Sequence, residues 1–168
     1  NIQIKERHLG LTTIHETELV SDVVSAAATA VRENCDLALI RSAVGKICLP
    51  DAVPEQVVIK QSTVRIGVAR DKAFCFYYQQ NLNALRAAGA ELMFFDTLQD
   101  SSLPKVDDLY IGGGFPESFL QELEDNQSMR ESLKQAIEDG MPTYAECGGL
   151  MYLTRSISRD GKTCRMVG

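Results

Sequence analysis

A lone cysteine follows a short apolar stretch near the end of the chain. Residues 142–153 read as a brief buried strand, a turn at Cys147 with two glycines directly after it, and then a helix. Glycines allow the backbone to fold back tightly, so this spacing predicts a sulfur held at a turn between strand and helix. The unpaired N–H groups at a helix start favour thiolate over thiol, which indicates a nucleophile. The alternative is a small buried packing cysteine.

A run of glycines supplies a second turn of interest. Gly112, Gly113 and Gly114 follow another predicted strand, and turns at the C-terminal ends of parallel strands share one edge of a sheet. One N–H from this loop and the N–H of Gly148 would form an oxyanion hole for acyl transfer at Cys147. A plain connecting turn is the alternative. Phosphate binding is a weaker interpretation, because neither G-x-G-x-x-G nor a P-loop is present.

The elements that must position these turns alternate in type from Val64 onward. The strands are predicted over 64–69, 91–95 and 109–111, with a fourth leading into Cys147. Helices are predicted over 81–88, from Pro116 through Glu122, and across Met129, Leu133 and Ile137 up to Gly140. This alternation predicts an α/β fold: a doubly wound, flavodoxin-like parallel sheet, truncated at the C-terminus and preceded by a short helical segment.

The first part of the chain has a different character. A helix is predicted over residues 17–33 with Thr17 as its N-cap, and a second, headed by Asp36, ends near Gly45. Residues 50–63 contain two prolines and mixed polar residues, which is typical of a linker. Residues 1–49 and 64–168 are therefore predicted to be parts of two domains. Both ends look cut, since the chain does not begin with methionine and residues 164–167 read as a strand just beginning, so we expect a fragment of a longer protein.

Composition excludes several classes of function. The chain has 17 Lys and Arg against 23 Asp and Glu, a net charge of −6, which argues against nucleic acid or an anionic membrane as partner. Membrane-spanning and signal segments are not evident, and the five scattered cysteines form no C-x-x-C pair. We expect a cytoplasmic protein with reduced thiols and no metal site in this part. A homo-oligomer stays open.

Taken together, four stretches resemble one family. They look like the class I glutamine amidotransferase-like (glutaminase) domain of the cobyrinate a,c-diamide synthases, preceded by the last part of a dethiobiotin-synthetase-like ATP-binding domain. The stretches for the glutaminase domain are Ala69 to Leu82, Tyr110 to Glu117 and Tyr144 to Leu153, and the stretch for the ATP-binding domain is Arg7 to Leu11. On this resemblance residues 1–49 are the tail of the ATP-binding domain, 50–63 the linker, and 64–168 the first part of the glutaminase domain.

The resemblance implies a specific reaction. Glutamine is hydrolysed at Cys147, and ammonia passes to the ATP-binding domain, where MgATP activates the a and c carboxylates of cobyrinate for amidation. The family's catalytic histidine lies downstream of Gly168. His8 and His15, which are the histidines of this chain, are not expected beside Cys147. We therefore expect little glutaminase activity and no synthetase activity from this chain as it stands.

Other interpretations remain open. A related enzyme could act on another tetrapyrrole, such as a nickel sirohydrochlorin, a cysteine hydrolase or chaperone-like protein could share the scaffold, or the domain could be a non-catalytic module. Ala145 departs from the G-x-C-x-G elbow of the wider class. Glu146 is assigned a hydrogen-bonding or substrate-orienting role, because neighbouring strand residues face opposite ways. The aromatic residues 74–78 are interpreted as core or as the lining of a pocket.

Overall fold

A computed structural model describes residues 20–44 and 64–168 of the chain. The chain divides into two units, Asn1–Gln56 and Val57–Gly168. Helices α1, Val20–Asn34, and α2, Leu37–Ala43, form the described part of the first unit. Both predicted helices are confirmed. The side chain of Asp36 caps α2 by accepting the N–H of Leu39 at 2.9 Å. Thr17 and the predicted linker lie outside the described residues.

A four-stranded parallel sheet forms the centre of the second unit. The strands are β1 Val64–Ala69, β2 Ala90–Phe95, β3 Asp108–Ile111 and β4 Thr143–Ala145. They lie in the order β2-β1-β3-β4, so β1 pairs with both β2 and β3. Val68 of β1 lies opposite Phe94 and Tyr110, and Tyr110 lies opposite Tyr144. The predicted parallel sheet is confirmed.

Helices cover both faces of this sheet because its strands are apolar on both sides. Within β3, Leu109 and Ile111 pack into one core, and Tyr110 points into the opposite one. Such double burial is typical of parallel strands with crossover helices, and it confirms the doubly wound prediction. The helices of the unit are α3 Gln79–Ala87, α4 Leu120–Asp125, α5 Gln127–Glu138 and α6 Gly148–Tyr152.

Local signals set most helix ends. Gly89 follows α3 at φ +100° and Gly140 follows α5 at φ +95°, so both glycines end helices in the left-handed conformation that other residues avoid. At the start of α5, the side chain of Asn126 accepts the N–H of Met129 at 3.3 Å. Met129 and Leu133 then point into the larger core and are fully buried.

Two predictions for this unit are wrong in detail. Residues 116–122 do not form one helix: Pro116–Ser118 make a 3₁₀ turn, and α4 begins at Leu120. Phe119 separates them at φ −127°, outside the helical region, and its side chain packs against the core.

The strand predicted to begin at residues 164–167 lies two residues earlier and belongs to a hairpin outside the parallel sheet. Lys162–Arg165, β6, pairs antiparallel with Ser156–Arg159, β5. The turn between them is Asp160-Gly161 at φ +52° and +78°, and this dipeptide favours two-residue hairpins. Side chains from both strands, Ile157 and Cys164, are buried in the larger core.

Candidate active site

The backbone at Cys147 is held in an unusual conformation. Its φ is +50° and its ψ is −114°, outside the regions that residues with a side chain ordinarily occupy. Such a conformation costs on the order of 1–3 kcal/mol and persists only where the surrounding structure holds it. The side chain is exposed, although the two glycines after it are buried. The turn therefore presents the sulfur outward from a packed base, as the sequence predicts.

Hydrogen bonds hold this turn against the end of β3. The N–H of Glu146 donates to the carbonyl of Ile111 at 3.1 Å, and the N–H of Gly149 donates to the carbonyl of Gly112 at 2.9 Å. Gly149 has no room for a side chain, because a Cβ there would lie 2.1 Å from the carbonyl oxygen of Ile111. Gly148, directly after Cys147, also has little room for a side chain. A Cβ on Gly148 would lie 2.9 Å from Pro116 Cδ.

The glycine loop lies directly beside the turn. A Cβ placed on Gly113 would stand 3.5 Å from Cys147 Cβ, and a Cβ placed on Gly148 would stand 3.0 Å from the nitrogen of Gly114. Gly148 is the first residue of α6, so its N–H has no partner within that helix. The structure thus brings together Cys147 and the two backbone nitrogens of Gly114 and Gly148.

Peptide geometry decides where each N–H of the loop points. In a trans peptide the carbonyl and the next N–H point in opposite directions. The carbonyl of Gly113 accepts the N–H of Phe76 at 3.0 Å, so the N–H of Gly114 faces away from Phe76. By the same rule the N–H of Gly113 faces away from α6, because the Gly112 carbonyl accepts from Gly149 of that helix.

Gly112 has a different partner from the other glycines. Its N–H donates to the hydroxyl of Tyr77 at 2.8 Å, and that hydroxyl donates to the carbonyl of Ala69 at the end of β1. Of the predicted oxyanion donors, the backbone nitrogen of Gly114 lies close to Gly148, the residue that follows Cys147. The N–H of Gly112 is engaged by Tyr77, and that of Gly113 faces away from α6.

The loop that carries Tyr77 is itself tightly held. One carboxylate oxygen of Asp71 accepts the N–H groups of Ala73 and Phe74, at 2.7 and 2.9 Å. The other oxygen accepts both the N–H and the hydroxyl of Thr97, each at 2.7 Å. Burial raises the pKa of Asp71, and these hydrogen bonds oppose that rise. Sequence reasoning missed both Asp71 and the hydroxyl of Tyr77. A local signal for Asp71 was available, because an Asp side chain often accepts the N–H two residues later, as Asp71 does with Ala73.

Glu146 points to the opposite face of the sheet, as the sequence predicts. Its carboxylate accepts the hydroxyl of Tyr110 at 3.0 Å and that of Tyr144 at 3.3 Å. Burial, and then the hydrogen bond to Glu146, raise the pKa of Tyr110 to about 12. Glu146 also lines a cavity of about 720 Å³ beside α3, whose lining does not include Cys147. This carboxylate therefore does not contact the thiol.

The aromatic residues 74–78 divide between core and surface. Phe74 is fully buried, and Phe76, which is 40% exposed, packs edge-on against Phe115 beside the glycine loop. Tyr77 is half-buried, whereas Tyr78 is 76% exposed. The core interpretation is confirmed for Phe74, whereas the pocket-lining interpretation stays a prediction.

Within residues 20–44 and 64–168 there is no group of three or more His, Cys, Asp or Glu that could hold a metal ion. None of the helices in the described part of the chain is long and apolar enough to cross a membrane. His8 and His15 lie outside the described residues.

A parallel α/β sheet with a strained cysteine turn beside a glycine loop at its C-terminal edge has the strand-turn-helix geometry of a nucleophile elbow. Residues 65–168 match the family described as the CobB/CobQ-like glutamine amidotransferase domain. The chain belongs to this family.

Curated relatives carry one name. A cobyrinate a,c-diamide synthase from Listeria innocua serovar 6a is 43% identical over 175 residues, which cover 99% of this chain and 37% of that protein. A second, from Methanosarcina barkeri, is 61% identical over 94 residues, or 56% of this chain and 19% of the relative. The chain thus spans well under half the length of these relatives.

A solved structure described as a peptidase E protein from Listeria monocytogenes EGD-e is also similar. It is 18% identical, with a TM-score of 0.48, over 59% of this chain and 54% of that chain.

Proposed function

We propose that residues 64–168 carry the nucleophile and the oxyanion donors of a glutaminase. The observation that carries the proposal is the strained turn at Cys147, with the backbone nitrogens of Gly114 and Gly148 brought together beside it. A strained turn costs stability, so its presence at an exposed thiol favours a catalytic role over packing. Family membership supplies glutamine as the substrate.

The proposed chemistry proceeds through a thioester. The thiolate of Cys147 attacks the carboxamide carbon of glutamine, and the oxygen that becomes negative accepts the N–H groups of Gly148 and Gly114. The C–N bond then breaks, and ammonia leaves with a proton from an imidazolium. Water attacks the thioester while the imidazole takes its proton, which releases glutamate and restores the thiolate. Residues 64–168 contain no histidine, so the base is proposed to lie elsewhere in the protein.

The whole protein is proposed to use this ammonia for ATP-driven amidation of the a and c carboxylates of cobyrinate. Supporting this are the relatives named cobyrinate a,c-diamide synthase, which match 99% of the chain. A related tetrapyrrole acceptor is not distinguished from cobyrinate by these residues. A cytoplasmic location stays a prediction, as does a homo-oligomer.

The described residues do not fit MgATP. The glycine run continues into Phe115 and Pro116, both buried, where a P-loop needs Lys and Ser or Thr. The described residues also contain no cluster of three or more His, Cys, Asp or Glu that could hold a metal ion. MgATP is therefore proposed to bind the ATP-binding domain, with residues 1–49 as the tail of that domain and 50–63 as a linker.

Selective alkylation tests the nucleophile. A chloromethyl ketone analogue of glutamine should label Cys147 much faster than Cys35, which is also an exposed thiol and serves as the internal control. Cys147→Ser should abolish this labelling. Equal labelling of Cys147 and Cys35, read by peptide mass spectrometry, would contradict the proposal.

Glutamate release tests the assignment of the base. This chain alone should release glutamate from glutamine at a small fraction of the rate of the full-length relatives. An equal rate would show that the base lies within the 168 residues.

A further inference from the structure

A half-buried phenol joins two strand ends at the base of the candidate site. The hydroxyl of Tyr77 donates to the carbonyl of Ala69, where β1 ends, and accepts the N–H of Gly112, where β3 ends. The ring also fills the space that a side chain at position 112 would need, because a Cβ there would lie 2.6 Å from a ring carbon. Gly112 is therefore shaped to receive this ring and its hydroxyl.

The peptides of the glycine loop are held by partners outside the loop. Three consecutive glycines have wide conformational freedom, so their peptide planes need external partners to hold one orientation. Tyr77 holds the N–H of Gly112, and Phe76, next to it in the chain, holds the carbonyl of Gly113 at 3.0 Å. Rotation of the peptide between Gly113 and Gly114 would reorient the N–H of Gly114, which lies beside Gly148.

Tyr77 is also connected, through Tyr110, to the end of β4, the strand that leads to Cys147. The rings of Tyr77 and Tyr110 meet edge to face with centroids 5.2 Å apart, and the hydroxyl of Tyr110 donates to Glu146 at 3.0 Å. Burial raises the pKa of Tyr77, so its hydroxyl keeps its proton and remains a donor at ordinary pH. Tyr77 thus joins the C-terminal ends of β1 and β3 directly, and it is linked to the end of β4 through Tyr110.

We propose that Tyr77 is a positioning residue for the reaction at Cys147, acting through Gly112 to hold the N–H of Gly114 toward the developing oxyanion. This inference rests on the proposed glutaminase function. Tyr77 does not itself contact substrate in this scheme.

Two reagents separate positioning from stability. A glutamine-analogue chloromethyl ketone presents a ketone oxygen to the oxyanion donors, whereas iodoacetamide alkylates a thiol without needing them. Tyr77→Phe keeps the ring and removes the hydroxyl. It should slow chloromethyl ketone labelling of Cys147 by about tenfold to a hundredfold, since loss of an oxyanion donor costs about 10² to 10³ in rate and misorientation removes part of that. Iodoacetamide labelling should stay within about twofold.

The adjacent tyrosine provides a matched control. Tyr78 is 76% exposed, so Tyr78→Phe makes the same chemical change without touching the glycine loop and should leave both labelling rates unchanged. Gly112→Ala provides a second route, because its Cβ displaces the Tyr77 ring. It should produce the same selective loss.

The outcomes separate this inference from the function on which it rests. Unchanged chloromethyl ketone labelling in a folded Tyr77→Phe variant overturns the inference alone, and so does an equal loss with both reagents, which indicates a purely structural role. Equal labelling of Cys147 and Cys35 in the parent chain removes the proposed function and the inference with it.

Discussion

Glycine usually makes a protein less stable than alanine does at the same position, and the backbone strain at Cys147 predicts the opposite order there. In Cys147→Ala the residue keeps a Cβ at φ +50°, whereas in Cys147→Gly the strain is relieved. Relief contributes about 1–3 kcal/mol to the free energy of unfolding, and the greater freedom of glycine in the unfolded chain offsets about 0.4–1 kcal/mol of that gain. Cys147→Gly should therefore be more stable than Cys147→Ala by about 0.5–2 kcal/mol.

Urea unfolding followed by tyrosine fluorescence measures this difference in the second structural unit, Val57–Gly168. The chain has no tryptophan, and its five tyrosines all lie between residues 77 and 152. Ala84→Gly is the matched control, since Ala84 is exposed within α3 and should lose about 1 kcal/mol as glycine. If Cys147→Gly is less stable than Cys147→Ala by a similar amount, the turn stores no strain and the reasoning is wrong.

Three further predictions concern the stability of the second unit. Gly149→Ala should destabilise the unit by about 3 kcal/mol or more in urea unfolding, because its Cβ would meet the Ile111 carbonyl oxygen at 2.1 Å; a loss below about 1 kcal/mol would show that the turn can yield. Asp71→Asn should cost about 1–3 kcal/mol by leaving buried N–H groups without an acceptor, whereas Asp160→Asn, at a side chain 90% exposed, should cost nothing measurable. Arg65 lowers the pKa of Asp107 through a hydrogen bond. The pair therefore stabilises the fold at pH values above the ordinary carboxyl pKa, and this stabilisation is lost as the pH falls through the lowered pKa of Asp107. Asp107→Asn should therefore flatten the stability profile on the acid side of the ordinary carboxyl pKa, which is about 4. An unchanged slope in urea unfolding at a series of pH values would show that the pair contributes nothing there.

Much of the fold follows from local patterns. The apolar run at residues 64–69 and the helical spacing of Met129 and Leu133 are properties of short segments, so they predict β1 and α5 without knowledge of the rest. Gly89 and Gly140 mark helix ends for the same reason. The hairpin had an equally local signal in Asp160-Gly161, which the prediction of a further sheet strand overlooked.

The candidate site divides in the same way. Cys147 and the glycines around it could be found from sequence, because a turn between strand and helix leaves a local signature. The choice among the glycine donors could not. Each N–H direction depends on a partner far along the chain: Gly112 binds Tyr77 across 35 positions, and the carbonyl of Gly113 binds Phe76.

The sequence by itself determined that a cysteine turn and a glycine loop lie on one edge of a parallel sheet, and motif resemblance identified the family. Only the tertiary structure decided that Gly114 and Gly148 lie close together beside Cys147, and that the hydroxyl of Tyr77 accepts the N–H of Gly112. The physical reason is that glycine places almost no local limit on its peptide plane, so packing and distant hydrogen bonds set the direction of each N–H.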